Sequence, residues 1–97
     1  MPPVTRRGDK CTGHGSWVPR SSSSGSPNVF VNSIPVHRQG DGWNAHASPS
    51  PNPPHGGSLA SGSSTVFINN KQCGRIGDPV SCGSAVAQGS ANVFAGG

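Results

Sequence analysis

The chain has no tyrosine and no glutamate, one methionine, and only five aromatic residues, three Phe and two Trp, in 97. Apolar residues make up 30% of it, and no run approaches the ~20 needed to span a bilayer. The N-terminus, Met1-Pro2-Pro3-Val4-Thr5-Arg6-Arg7, lacks the apolar core of a secretory signal, so synthesis in a reducing cytoplasm is expected. Helical spacing of apolar residues is missing, and 15 glycines and 10 prolines interrupt nearly every turn. Little or no helix is expected. The three cysteines are odd in number and form no C-x-x-C pair, which argues against a pure disulfide framework. Cys11 and Cys73 are expected as buried free thiols, with a Cys11–Cys73 bridge as the alternative. Acidic residues are scarce too: three against seven basic residues, a net charge of +4. A nucleic-acid face would interleave cations with stacking aromatics. Trp17 and Trp43 lie outside any basic cluster, so no nucleic-acid partner is expected.

What is present is placed with strict order. All three carboxylates occur as Gly-Asp: Gly8-Asp9, Gly40-Asp41 and Gly77-Asp78. All three phenylalanines follow valine, in Asn28-Val29-Phe30, Thr65-Val66-Phe67 and Asn92-Val93-Phe94, each preceded by a Gly-Ser step at Gly25, Gly62 and Gly89. This is a degenerate threefold repeat within a single domain, residues 1–97. Composition alone would suggest a flexible linker. A core this thin needs a staple: a metal, a disulfide or a partner.

Strand signals cover Asn28–Asn32, Thr65–Asn69 and Asn92–Ala95. Asn32-Ser33 and Asn69-Asn70 supply hairpin turns, and Ile34–Arg38 and Lys71–Ile76 return. The third copy stops after one strand at Gly96-Gly97. Its missing partner is expected from Val4–Asp9, which also ends in Gly-Asp. Ser21–Ser24 and the Pro-rich stretch Ser48–Pro54 read as loops. The predicted fold is all-β: a small cone of short hairpins with pseudo-threefold symmetry, stapled by a metal.

The chemical signal follows each Gly-Asp. Asp9 leads to His14, Asp41 to His46 and Asp78 to Cys82, four or five residues on. In a threefold fold, equivalent positions converge on the axis. His55, in Pro54-His55-Gly56, is the fourth candidate. Three imidazoles and a thiolate suit one tetrahedral structural Zn²⁺ per chain, in preference to iron. Such a set leaves no open position for catalysis. Structural zinc contributes about 10–16 kcal/mol of apparent binding energy, enough to supply the missing stability. Cys11, three residues before His14, is the rival ligand. His37, inside a predicted strand, is read as a non-ligand.

Gly25 to Asn32, continued by Pro35-Val36-His37-Arg38-Gln39-Gly40-Asp41, resembles the PAAR repeat. Pro35 and Arg38 keep the first and last residues of the name-giving tetrapeptide. Gln72-Cys73-Gly74-Arg75 keeps only the arginine. The resemblance implies a sharp cone with a metal near its apex, with His14, His46, His55 and Cys82 at the metal positions. It also implies a partner: the trimeric β-helical spike of a contractile injection machine. The chain would cap that spike and cross the target membrane transiently. A phage tail tip in the virion is the first expectation and a secreted type VI secretion tip the second.

Two other classes fit the residues less well. A small zinc-dependent hydrolase or effector would need an open metal position and a general base. A zinc-containing nucleic-acid module would need a recognition helix. The chain is therefore expected to be a non-enzymatic structural protein, monomeric when free, with one copy per spike trimer. Val29, Val31, Val66, Ile68 and Val93 are the expected spike-facing residues at a flat base. Alternation would then turn Phe30, Phe67 and Phe94 inward.

Overall fold

The computed structural model describes residues 1–13, 19–46, 55–81 and 83–96, and of residues 45–46 and 55–56 the backbone only. Among the described residues there is no helix. Three antiparallel strand pairs are formed: β1 (Phe30–Val31) with β2 (Ile34–Pro35), β3 (Gly42–His46) with β4 (His55–Ser58), and β5 (Phe67–Ile68) with β6 (Lys71–Gln72). The body measures 39 × 23 × 22 Å.

The lower tier consists of three equivalent hairpins. Phe30 pairs with Pro35 and Phe67 with Gln72, while Phe94 pairs with Pro3. The third hairpin is therefore built from the two ends of the chain, as expected. Val36, Cys73 and Val4 repeat one bond, each N–H donating to the carbonyl of Val29, Val66 or Val93 at 3.1, 3.0 and 2.9 Å. Asn32-Ser33 and Asn69-Asn70 all have positive φ, between 54° and 66°. Both central residues of a type I′ hairpin turn require this, and asparagine is among the residues other than glycine that tolerate it best.

The hairpins close into a ring. His37 N–H donates to the Thr5 carbonyl (3.1 Å), Thr5 N–H to Gly74 (3.0 Å) and Gly74 N–H to His37 (2.9 Å). These three positions are equivalent in the repeat, so the bonds encircle the pseudo-threefold axis. Further out, Arg6 bridges Val36, Arg38 bridges Cys73 and Arg75 bridges Val4. The ring satisfies backbone groups that two-residue strands would otherwise leave unpaired.

Above it lies a second tier. After each Gly-Asp the chain runs outward and returns: Lys10 pairs with Ser21, Gly42 with Ser58 and Pro79 with Ala85. Neighbouring units join in the same cyclic sense, Ser22 to Trp43, Leu59 to Val80 and Val86 to Cys11. Ser21 and Ser22 thus belong to this bridge network, where sequence suggested only a loop. Each tier has its own core. The upper holds Cys11, Trp43, Leu59, Val80 and Val86, and the lower Val4, Val36, Cys73 and Ala95.

Strand extents and faces differ from expectation. The strands named above replace the longer spans Asn28–Asn32, Ile34–Arg38, Thr65–Asn69 and Lys71–Ile76, because the chain leaves each hairpin to bond its neighbour. β3 and β4 carry no strand signal: β3 has no β-branched residue, and β4 is Gly-Gly-Ser after its histidine. The Pro-rich stretch Ser48–Pro54 lies outside the described residues. The expected faces are reversed: Val29, Val31, Val66, Ile68 and Val93 are half-buried against the lower core, and Phe30, Phe67 and Phe94 are 54%, 55% and 48% exposed.

Candidate functional site

Each lower hairpin ends in the same turn, Arg-x-Gly-Asp, at Arg6–Asp9, Arg38–Asp41 and Arg75–Asp78. The third residue needs positive φ, 96°, 87° and 93° at Gly8, Gly40 and Gly77, as in a type II turn. The carboxylate accepts from the arginine backbone N–H (2.9, 2.8 and 2.8 Å). It also takes two bonds from the guanidinium, Nε to Oδ2 and Nη2 to Oδ1. This bidentate geometry is the strong form of the pair. Burial pushes the Asp41 carboxyl up, but the side-chain and backbone bonds of Arg38 outweigh it and hold the group below its ordinary range. Every carboxylate of the chain is consumed this way. The arginine is legible in all three copies as R-x-G-D, whereas from sequence Arg38 and Arg75 enter only through the tetrapeptide and neither is paired with its aspartate.

The Gly-Ser step has a matching role. Ser26, Ser63 and Ser90 each accept from two backbone N–H groups just ahead, including Val29, Val66 and Val93 at 2.9 Å. Each hydroxyl then donates to the next unit: Ser26 to Asn69 Oδ1 (2.6 Å), Ser90 to Asn32 Oδ1 (2.6 Å) and Ser63 to the Gly96 carbonyl. Arg6, Arg38 and Arg75 reach the same three acceptors. The ring is thus stitched by side chains in the same cyclic order as by backbone.

Two features at opposite tiers are candidates for function. On the lower tier, Phe30, Phe67 and Phe94 occupy equivalent positions and are exposed, joined by Met1, which is 85% exposed. Three symmetric aromatic side chains left in water mark a surface suited to a partner. On the upper tier lie the predicted metal ligands. β3 and β4 bring His46 and His55 into register as direct cross-strand partners; their side chains lie outside the described atoms. His14 and Cys82 lie outside the described residues. Their described neighbours are joined: Thr12 N–H donates to the Ala85 carbonyl (2.8 Å), and the Ser84 hydroxyl to the Gly13 carbonyl (3.3 Å). Among the described residues, no three His, Cys, Asp or Glu side chains gather into a metal-holding group.

Cys11 and Cys73 are free and buried, so they do not form the alternative disulfide, and they sit in different core clusters. Burial pushes the Cys73 thiol up to about 11. Burial also raises Cys11, but hydrogen bonds from Ser84 and from the Arg20 and Gly13 backbone outweigh it and bring the thiol down. His37 is fully buried, its Nδ1 2.8 Å from the Ser24 carbonyl oxygen.

The family model described as PAAR motif matches residues 7–88. Two curated relatives from Pseudomonas aeruginosa match at 42% identity over 77 residues: the NAD(P)(+) glycohydrolase toxin Tse6 of strain PAO1 and the (p)ppApp synthetase toxin Tas1 of strain UCBPP-PA14. Each match covers 75% of this chain, but the chain spans only 18% of the length of either relative.

Proposed function

The chain belongs to the PAAR-motif family, and from that premise we propose that it is the metal-stapled tip of a trimeric β-helical spike, one chain per trimer. The observation that carries this reading is the lower tier. A closed pseudo-threefold ring presents Phe30, Phe67 and Phe94 outward at equivalent positions. A homotrimer ends in true threefold symmetry, so each phenylalanine can meet one subunit in nearly the same way. Val29, Val31, Val66, Ile68 and Val93, half-buried behind them, would brace that face. Phe94 lies in the hairpin made by residues 3–4 with residues 93–94.

At the other tier, His14, His46, His55 and Cys82 would hold one zinc. The cross-strand register of His46 with His55 and the bonding between the 12–13 and 84–85 backbones fit such a set. A metal there would supply the cross-link that this small core lacks. The residues of this chain would contribute shape and docking only, with no catalysis of their own. Because both relatives are toxins, we place this tip in a type VI secretion setting ahead of a phage tail. We propose that residues 1–97 act as one unit that is carried to, and transiently through, a target membrane.

Mixing the chain with a candidate spike trimer and measuring mass by light scattering tests the docking. One chain per trimer is the expected result, lost when Phe30, Phe67 and Phe94 are all changed to serine. Three chains per trimer, or binding that survives the triple change, would rule this reading out.

A further inference from the structure

Among the described residues, three buried side-chain atoms have no protein partner: Thr5 Oγ1, His37 Nε2 and Trp43 Nε1. All three residues are buried, Thr5 and His37 completely. They sit where the two tiers meet. Thr5 and His37 are equivalent members of the axial ring, and Trp43 belongs to the upper core. The imidazole and indole rings stand edge to face, 5.0 Å between centroids at 74°.

Their hydrogen-bonding roles are complementary. His37 Nδ1 faces the Ser24 carbonyl oxygen at 2.8 Å. A carbonyl only accepts, so Nδ1 carries the proton and Nε2 presents a lone pair. The Trp43 indole N–H can only donate, and the Thr5 hydroxyl can do either. The third ring position is Gly74. A Cβ there would lie 2.8 Å from Thr5 Cγ2 and 2.8 Å from Leu59 Cδ2. The Thr5 methyl therefore faces the apolar Leu59 side, and its hydroxyl branches away from it.

We propose that His37 Nε2, Trp43 Nε1 and Thr5 Oγ1 converge on a single ordered water that pins the upper tier to the axial ring. The water accepts from Trp43, donates to His37 and exchanges one bond with Thr5. Three bonds are the usual complement of a buried water, and such waters sit where polar groups would otherwise go unmatched. The backbone ring needs no solvent, because its own N–H and C=O groups bond one another. The site is independent of the spike-tip reading above and stands or falls without it.

A crystal structure of the whole protein, fine enough to place waters, tests this directly. The expected result is one water within hydrogen-bond distance of all three atoms. Nitrogen NMR of the same protein should find His37 protonated at Nδ1. Thr5→Val keeps the shape and removes one bond, so it should shift the Trp43 indole N–H resonance, told apart from that of Trp17 by Trp17→Phe. No water at the point, a metal ion in its place, or the opposite His37 tautomer overturns the proposal. So does a Trp43 resonance that Thr5→Val leaves unmoved.

Discussion

In the Arg-x-Gly-Asp turns, one arginine does three jobs at once. It neutralises a carboxylate in its own turn, bridges the backbone of the neighbouring hairpin and reaches a side chain or carbonyl of that same neighbour. The side chains of Arg38 and Asp41 are only 11% and 7% exposed, so removing one partner strands a charge away from water. Arg38→Gln should lower the unfolding free energy by about 3 kcal/mol, the low end for breaking a buried pair. Exposed Arg7→Gln should change it by less than about 0.5 kcal/mol. Denaturant titration of both variants is the check. His37 gives a second prediction. Burial lowers its pKa, against weaker opposing effects from the Ser24 carbonyl and Asp41. The fold therefore favours the neutral ring, and the unfolded chain binds the proton first. Stability should hold above pH ~6.5, the ordinary histidine value, and fall as pH drops below it. Asp41, held low, should release its contribution only at more acid pH, as pH falls through its folded value. Unfolding measured across pH should show the first decline in the native chain, reduced in His37→Gln.

At the scale of the element, the lower hairpins are held less by their strands than by what flanks them. Gly25, Gly62 and Gly89 show why the Gly-Ser step admits no side chain. A Cβ at Gly25 would lie 2.8 Å from the Val36 carbonyl oxygen and one at Gly89 2.7 Å from that of Val4, while one at Gly62 would press on the Cys73 carbonyl. Backbone cannot yield as a flexible side chain can. Gly62→Ala should therefore cost about 2–3 kcal/mol, toward the upper end for overpacking. Gly40→Ala meets no atom within 4 Å and should cost about 1–2 kcal/mol, from its positive φ alone. Thermal melts of the two variants would rank them.

The same scale explains what could be read in advance. Scarce residues repeated at fixed positions expose the three hairpins, and Asn32-Ser33 and Asn69-Asn70 mark where two of them reverse. The third hairpin followed from Val4–Asp9 ending like its sisters. The inward face could not be read the same way. With only two paired residues per strand, alternation offers too short a pattern to say which side is buried, and one step of register reverses it. The serine-rich segment 21–24 and the glycine-rich β4 gave no strand signal, because their pairing comes from neighbours across the ring and not from propensity. Among the metal candidates, His14, His46 and Cys82 rest on repeat equivalence and His55 on its place after the second unit. The structure adds the register of His46 with His55.

For the whole molecule, the two tiers differ in what holds them. The lower has three ion pairs and a closed bonding ring, and the upper has unequal excursions of the chain. Removing the proposed zinc should therefore loosen the upper tier most and lower the melting temperature sharply. Elemental analysis should give about one zinc per chain, reduced in Cys82→Ser and His14→Ala. His37→Ala should also destabilise, since it empties a buried position, but should leave the metal content unchanged. Full zinc content in both ligand variants would show that other residues bind it.

The third hairpin has a consequence for how the protein is made. Pro2, Pro3 and Val4 pair with Ala95, Phe94 and Val93 to make this hairpin. During synthesis, two hairpins can form as they leave the ribosome, but the ring cannot close until the last of these residues has emerged. Closure joins residues 2–4 to residues 93–95, and contacts between segments far apart in sequence are the slowest to find. Until then the opening segment waits with its cations exposed and its strand edge unpaired, a period in which a chaperone, or the spike itself, could engage the open ring.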